Sequence, residues 1–151
     1  MFKYEVTIKL SDTDATGRIF YTSQLQHASA GFEEWMEHLG IGLSKILAQG
    51  ECAFPIIHVE TDFKSPMKLG DRVSFYIFID RLGDSSFSWS YQVMDQNKKE
   101  LGTGKTVHVC VDQKTERKRL LPEIFAQTLS QQLRFSSSAF AQSRSLSSDL
   151  A

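Results

Sequence analysis

The chain has 151 residues, 41% of them apolar, with 11 phenylalanines. A domain of that size buries roughly 70% of its unfolded surface, so a core forms without help from metals or disulfides. The net charge of -1, from 17 basic and 18 acidic residues, removes the electrostatic case for nucleic acid or an anionic membrane as partner.

Phe2, Tyr4, Val6, Ile8 and Leu10 alternate with Lys3, Glu5, Thr7 and Lys9, which predicts a half-buried strand. Its lysines and its period of two are not those of a signal peptide. The stretch "SDTDATGRIFYTSQ" (11–24) follows. Leu25, Ala28, Phe32, Trp35, Met36 and Leu39 then recur at helical spacing, with Gly40 placed to end the helix. A shorter helical run, about 42–49, stops at Gly50.

From residue 55 the period returns to two. Ile57, Val59, Thr61 and Phe63 alternate with His58, Glu60, Asp62 and Lys64; Val73, Phe75, Ile77 and Ile79 line a long strand. Phe87, Trp89, Tyr91 and Val93 line the next, and Val107, Val109 and Val111 alternate with Thr106, His108 and Cys110. "LPEIFAQTLSQQL" is a last helix, opened by Pro122. A strand, a helix and four successive strands predict an α+β domain over 1–133, a helix against an antiparallel sheet. One sheet face lies under the helix; the other is wet or covered by a second subunit. Residues 134–151 are serine-rich with little apolar surface, and weak order is expected there.

The only two cysteines, Cys52 and Cys110, have no metal-ligand or disulfide-framework spacing, and Cys110 reads as a buried strand thiol. No run approaches the roughly 18 apolar residues of a membrane span. The expectation is a soluble, cytoplasmic protein with no metal site, since clustered His and Cys ligands are lacking.

Asp12 and Asp14 are the first chemical candidates. Two residues apart on a loop, they point apart, so one functional and one structural carboxylate is a better reading than an acid–base dyad. Thr22 or Ser23 is a candidate cap for the helix, which places the amides near Phe20–Ser23 at its positive end. A carboxylate beside such amides suits attack on an acyl carbon. A thioester asks least of the site: its thiol has a pKa of about 8.5, so the thiolate departs without a strong general acid. His27 and His38 read as solvated helix residues, and His58 and His108 as lying opposite the valine and isoleucine face. There is no G-x-S-x-G elbow for a serine triad. Lys114, Arg117, Lys118 and Arg119 form the basic cluster, either a solvated run or a clamp for substrate phosphates.

"DTDATGRIFY" (12–21), followed by the helix with Glu33 and Trp35, resembles the hotdog-fold acyl-CoA thioesterases of the 4-hydroxybenzoyl-CoA type. "FPIIHVETDFKSPMKLGDRV" (54–73), "VHVC" (107–110) and "ERKRLLP" (116–122) are most similar to the branch that hydrolyses 1,4-dihydroxy-2-naphthoyl-CoA in quinone biosynthesis. The resemblance covers about residues 3–125. It implies the hotdog fold, an antiparallel sheet wrapped around a central helix. It implies Asp14 as the catalytic carboxylate, Tyr21 as the source of the oxyanion amide, Gly17 in the turn, Asp12 as its structural partner and His58 as a pocket residue. Arg117, Lys118 and Arg119 become CoA-phosphate candidates. Coenzyme A is then part of the substrate rather than a cofactor, and self-association as a homodimer or dimer of dimers is expected. A short-chain acyl-CoA or acyl carrier protein thioesterase, or a non-catalytic acyl-CoA-binding module, are the alternatives. Arg18 stands where the family usually has an apolar residue; it either salt-bridges locally or meets the substrate.

Overall fold

The computed structural model describes residues 1–133; the serine-rich 134–151, and the expectation of weak order there, lie outside the described residues. Strand β1 (Phe2–Thr7) leads through a 3-10 turn (Leu10–Asp12) to helix α1 (Tyr21–His38) and the short α2 (Leu43–Ala48). There follow β2 (Cys52–Ala53), β3 (Ile56–Phe63), β4 (Arg72–Leu82), β5 (Ser86–Met94), β6 (Glu100–Val109) and β7 (Val111–Asp112). A final helix, α3, occupies 123–133.

Five strands form one sheet in the order β1-β4-β5-β6-β3, every neighbour antiparallel, and β2 pairs with β7 in a small second sheet. The chain enters on one edge strand, β1, and reaches the other edge, β3, only after α1. That connection lays α1 across one face, and the sheet wraps around it. The α1 stripe Gln24, Ala28, Gly31, Phe32, Trp35 and Met36 is buried against Val73, Phe75, Ile77 and Ile79 of β4 and Phe87, Trp89, Tyr91 and Val93 of β5. Gly31 allows this approach: a Cβ there would lie 2.7 Å from Ile77 Cδ1 and 2.9 Å from Tyr4 Cβ. At the other end, Gly40 takes φ +74°, and its amide and that of Ile41 close back on Glu37 and Met36 at 3.0 Å each. This Schellman closure ends α1 where the sequence placed it.

The alternation of β6 runs opposite to expectation. Pairing of His108 with Phe87 and of Thr106 with Trp89 turns Thr106 and His108 toward α1, and both are buried, while Val107 and Val109 sit half-buried on the outer face. Inward β6 positions nearer its start are Gly102 and Gly104, because Gln24 and the Tyr91 ring fill the space a side chain would take. His108 is thus a core residue. The donor-only indole Nε1–H of Trp89 reaches its Nε2 at 3.1 Å, so the ring proton sits on Nδ1 and donates to the Phe54 carbonyl at 3.1 Å. Cys52 and Cys110 are buried free thiols, and burial pushes the Cys110 thiol up to about 11.

The outer sheet face is mixed, carrying Ser74, Tyr76, Ser90, Gln92, Thr103 and Lys105 beside the half-buried Phe78, Met94, Val107 and Val109. Exposed apolar side chains gather instead on the edge strand β3, where Ile56, Ile57, Val59 and Phe63 are all at least 42% exposed. Packing of α3 closes the far end of the core, with Phe125 stacked on Phe54 at 4.8 Å.

Candidate active site

The stretch between β1 and α1 folds as a small hairpin. Thr13 bridges Ile19, the Asp14 amide donates to the Arg18 carbonyl at 2.9 Å, and the Gly17 amide closes on the Asp14 carbonyl at 3.0 Å. Gly17 takes φ +72°, a conformation that costs a side chain and not glycine. The outer arm is tied down by the Ile19 amide on the Met67 carbonyl at 2.8 Å and by an Arg18–Lys68 bridge.

The two aspartates diverge as expected for residues two apart. Asp12 turns inward: Oδ2 accepts the Lys9 amide at 2.7 Å, and Oδ1 lies 3.1 Å from His27 Nε2, off hydrogen-bond alignment. His27, read from sequence as solvated, is therefore half-buried against Asp12 and the Phe75 ring. Asp14 stays exposed at the tip. Its Oδ1 accepts both the Thr16 amide at 2.8 Å and the Thr16 hydroxyl at 2.5 Å. These bonds, the hydroxyl first, hold its carboxyl below the ordinary carboxylate range, with the Arg18 amide and then its charge adding smaller attractions. The group is an anion at neutral pH, with Oδ2 open.

Helix α1 starts earlier than the sequence suggested. Phe20 is its N-cap, with no side-chain cap bond, and Thr22 and Ser23 belong to the first turn. The Ser23 amide donates to the Phe20 carbonyl at 2.9 Å, while those of Tyr21 and Thr22 have no intrahelical acceptor and no side chain of the cap competes for them. Tyr21 opens the helix with its side chain 62% exposed. Asp14, Thr16, Arg18, Phe20 and Tyr21 form one wall of an open groove of about 480 Å³, and Phe63, Lys64 and Met67 the other. The groove joins an ionised carboxylate, a positive helix end and three part-exposed aromatic rings. Its chemical capacity is nucleophilic or base attack at a carbonyl whose oxygen gathers charge against backbone amides.

Other sequence candidates lie elsewhere. His58 is on the outer side of β3, 3.1 Å from Glu60, and does not line the groove. Arg119 is engaged: Nη1 donates to the Glu51 carbonyl at 2.8 Å, and Asp112 lies 3.9 Å away. Arg117 and Lys118 remain exposed on the loop after β7. That loop packs near Glu51, after α2, and none of its residues lines the groove. Thr16 and Phe63 were missed. An Asp followed two residues later by Thr is an Asx-turn signal that marks the first; the second was visible only as strand alternation.

A helix cradled by a five-stranded antiparallel sheet, with a carboxylate turn at the helix N-terminus, defines a hotdog-fold thioester hydrolase. The chain belongs to the thioesterase-like superfamily, whose model matches residues 5–129. It is 34% identical over 131 residues to a 1,4-dihydroxy-2-naphthoyl-CoA hydrolase of Rippkaea orientalis, covering 85% of this chain and 95% of the relative. An enzyme of the same name from Nostoc punctiforme is 31% identical, over 85% and 86% of the two chains. The crystal structure of a 1,4-dihydroxy-2-naphthoyl-CoA thioesterase from Synechocystis superposes with a TM-score of 0.81 at 27% identity, over 85% of this chain and 95% of that one.

Proposed function

We propose that this chain hydrolyses the thioester of an aromatic acyl-CoA, 1,4-dihydroxy-2-naphthoyl-CoA being the substrate its relatives' names favour. The observation that carries the reading is the convergence, in one groove, of the open Oδ2 of Asp14 with the uncapped N-terminus of α1. Phe20, Tyr21 and Phe63, each at least 42% exposed beside the groove, support an aromatic acyl group.

The carbonyl oxygen rests against the Tyr21 amide. Asp14 adds to the carbonyl carbon, and the amide stabilises the resulting oxyanion. Collapse expels CoA thiolate, which takes a proton from water, and leaves a mixed anhydride on Asp14. Water hydrolyses the anhydride to the free acid and regenerates the carboxylate. In the alternative route Asp14 takes the proton of a water that attacks the same carbon. Both routes yield acid and CoA and need no further cofactor.

Arg117 and Lys118 serve the CoA phosphates from a second copy. An antiparallel pairing of β3 with its own copy brings the Phe63 end of one strand beside the Ile56 end of the other. The basic loop of one subunit then approaches the groove of its partner. A cytoplasmic setting suits a substrate of this kind. The test is thiol release from a panel of acyl-CoAs, wild type beside Asp14→Asn. Turnover of the aromatic thioesters, lost in the variant, supports the reading; turnover retained within about threefold overturns it.

A further inference from the structure

One charge on the groove wall is not used by the hydrolysis. Of the two cations lining the groove, Lys64 is ion-paired with Glu100. The Arg18 side chain has no hydrogen bond or ion pair to an acidic group among the described residues; its backbone amide bonds toward the Asp14 carboxylate, and its charge adds a weaker attraction there. The local salt bridge that the sequence left open for it does not form. Its backbone is nevertheless fixed from both sides, by the Asp14 amide at 2.9 Å and by the antiparallel bridge to Lys68. Residues directly opposed in such a bridge project from the same face with Cβ atoms about 5 Å apart, and like charges so placed repel. Lys68 is exposed and likewise lacks an ion-paired partner; Asp71 nearby accepts its backbone amide at 2.8 Å. Two cations held together beside the reacting carboxylate, without an internal anion between them, form a site for an external one.

On the thioesterase reading above, we propose that Arg18, supported by Lys68, binds an anionic or hydroxyl oxygen on the acyl group, distal to the thioester carbonyl. The enzyme thereby selects hydroxy- or carboxy-substituted aromatic acyl groups over unsubstituted ones. Position assigns the oxygen to the acyl group rather than to a CoA phosphate. Arg18 is hydrogen-bonded through its carbonyl to Asp14 itself, so its side chain begins beside the reacting carbon. The pantetheine arm, which separates that carbon from the first phosphate, is far longer than an arginine side chain. The planar guanidinium fork also fits a carboxylate or a phenolic oxygen in two-point contact.

The experiment compares benzoyl-, 4-hydroxybenzoyl- and 4-carboxybenzoyl-CoA on wild type, Arg18→Met, Arg18→Lys and Lys68→Met. Turnover gives kcat and KM, and calorimetry in an Asp14→Asn background gives Kd without any need for turnover. Expected is a wild-type preference of about tenfold, carried by KM and Kd, for the substituted acyl groups. Arg18→Met erases it; Arg18→Lys restores part, and Lys68→Met weakens it. The preference persists with pantetheine thioesters of the same acids, which carry no nucleotide. Equal effects of Arg18→Met on all three acyl groups overturn the inference, as does a preference that vanishes with the nucleotide. If wild type hydrolyses none of the thioesters, the hydrolysis reading fails, and the Kd series still decides the role of Arg18.

Discussion

Thr16 donates twice to a single oxygen of Asp14: its amide at 2.8 Å and its hydroxyl at 2.5 Å both meet Oδ1. The carboxylate is thus locked in rotation, with one oxygen committed to the turn and Oδ2 directed to other use. Hydrogen bonds to the charged form favour that form, so the carboxyl titrates below its usual 3.8. Catalysis needs the anion, so kcat/KM holds its plateau as pH falls through the ordinary carboxylate range and declines only below it. Thr16→Val removes the larger of the two donors and keeps the amide. The acid limb of the kcat/KM profile then moves upward, toward the ordinary carboxylate value. An unmoved limb means that Thr16 does not tune Asp14.

The neighbouring aspartates separate into an activity residue and a stability residue. Asp14 is exposed and its side chain bonds only within its own turn, so Asp14→Asn leaves the urea midpoint nearly unchanged. Its kcat falls by about 10²-fold or more. Asp12 caps the turn after β1 through the Lys9 amide and sits beside His27. Asp12→Ala costs about 1 kcal/mol. Urea unfolding and thiol release on the same pair of variants read the two effects separately.

The fold was legible wherever side chains kept their period. The β4 and β5 faces, the α1 stripe and the Gly40 terminus all follow from spacing and from one glycine requirement. The first half of β6 was not legible, because its inward positions are Gly102 and Gly104, which carry no hydrophobic signal. The same gap inverted its later half: with the glycines unread, Val107 and Val109 looked like the core face. The start of α1 was missed because Phe20 caps it without a polar side chain, so the usual Ser or Thr signal pointed two or three residues too far. At the site, the division of roles between Asp12 and Asp14 was readable as divergence on a loop. The functional assignment of Asp14 needed the family resemblance. The freedom of Arg18 was invisible to sequence, since a missing partner leaves no motif.

His108 predicts a pH dependence of stability. Burial holds its imidazole below the ordinary 6.5, with the Phe54 carbonyl opposing weakly. The folded ring stays neutral while the unfolded one gains a proton, so the unfolded state binds more protons as pH falls below 6.5. The contribution is complete above that value and is lost as pH drops toward the folded pKa. His108→Phe abolishes this component. It also leaves the Trp89 indole N–H without its acceptor, at a cost of about 1–3 kcal/mol at neutral pH. Urea midpoints for both proteins between neutral and mildly acid pH check the sign: the wild-type curve slopes more steeply, and parallel curves overturn the assignment.

Strand β3 carries the prediction for assembly. One edge of it pairs with β6 over Ile56–Phe63, and the other has no strand among the described residues. An unpaired edge flanked by exposed Ile57, Val59 and Phe63 is a template for a further strand, and proteins that stay monomeric commonly blunt such edges with charge. Here His58, Glu60 and Asp62 lie on the outer side, while the apolar residues share the helix-side face. A second copy in antiparallel register covers those residues symmetrically, the isologous contact of a two-fold dimer. Val59→Lys places a charge near the centre of that contact, where Val59 is 42% exposed in the single chain and no core packing is lost. Sedimentation velocity then shows a dimer or larger species for wild type and a shift to monomer for the variant. Because the partner's Arg117 and Lys118 are withdrawn with it, KM for an acyl-CoA rises, while KM for the matching pantetheine thioester, which has no nucleotide phosphates, rises less. A wild-type monomer in that measurement overturns the shared-site arrangement, as does a monomeric variant with unchanged KM.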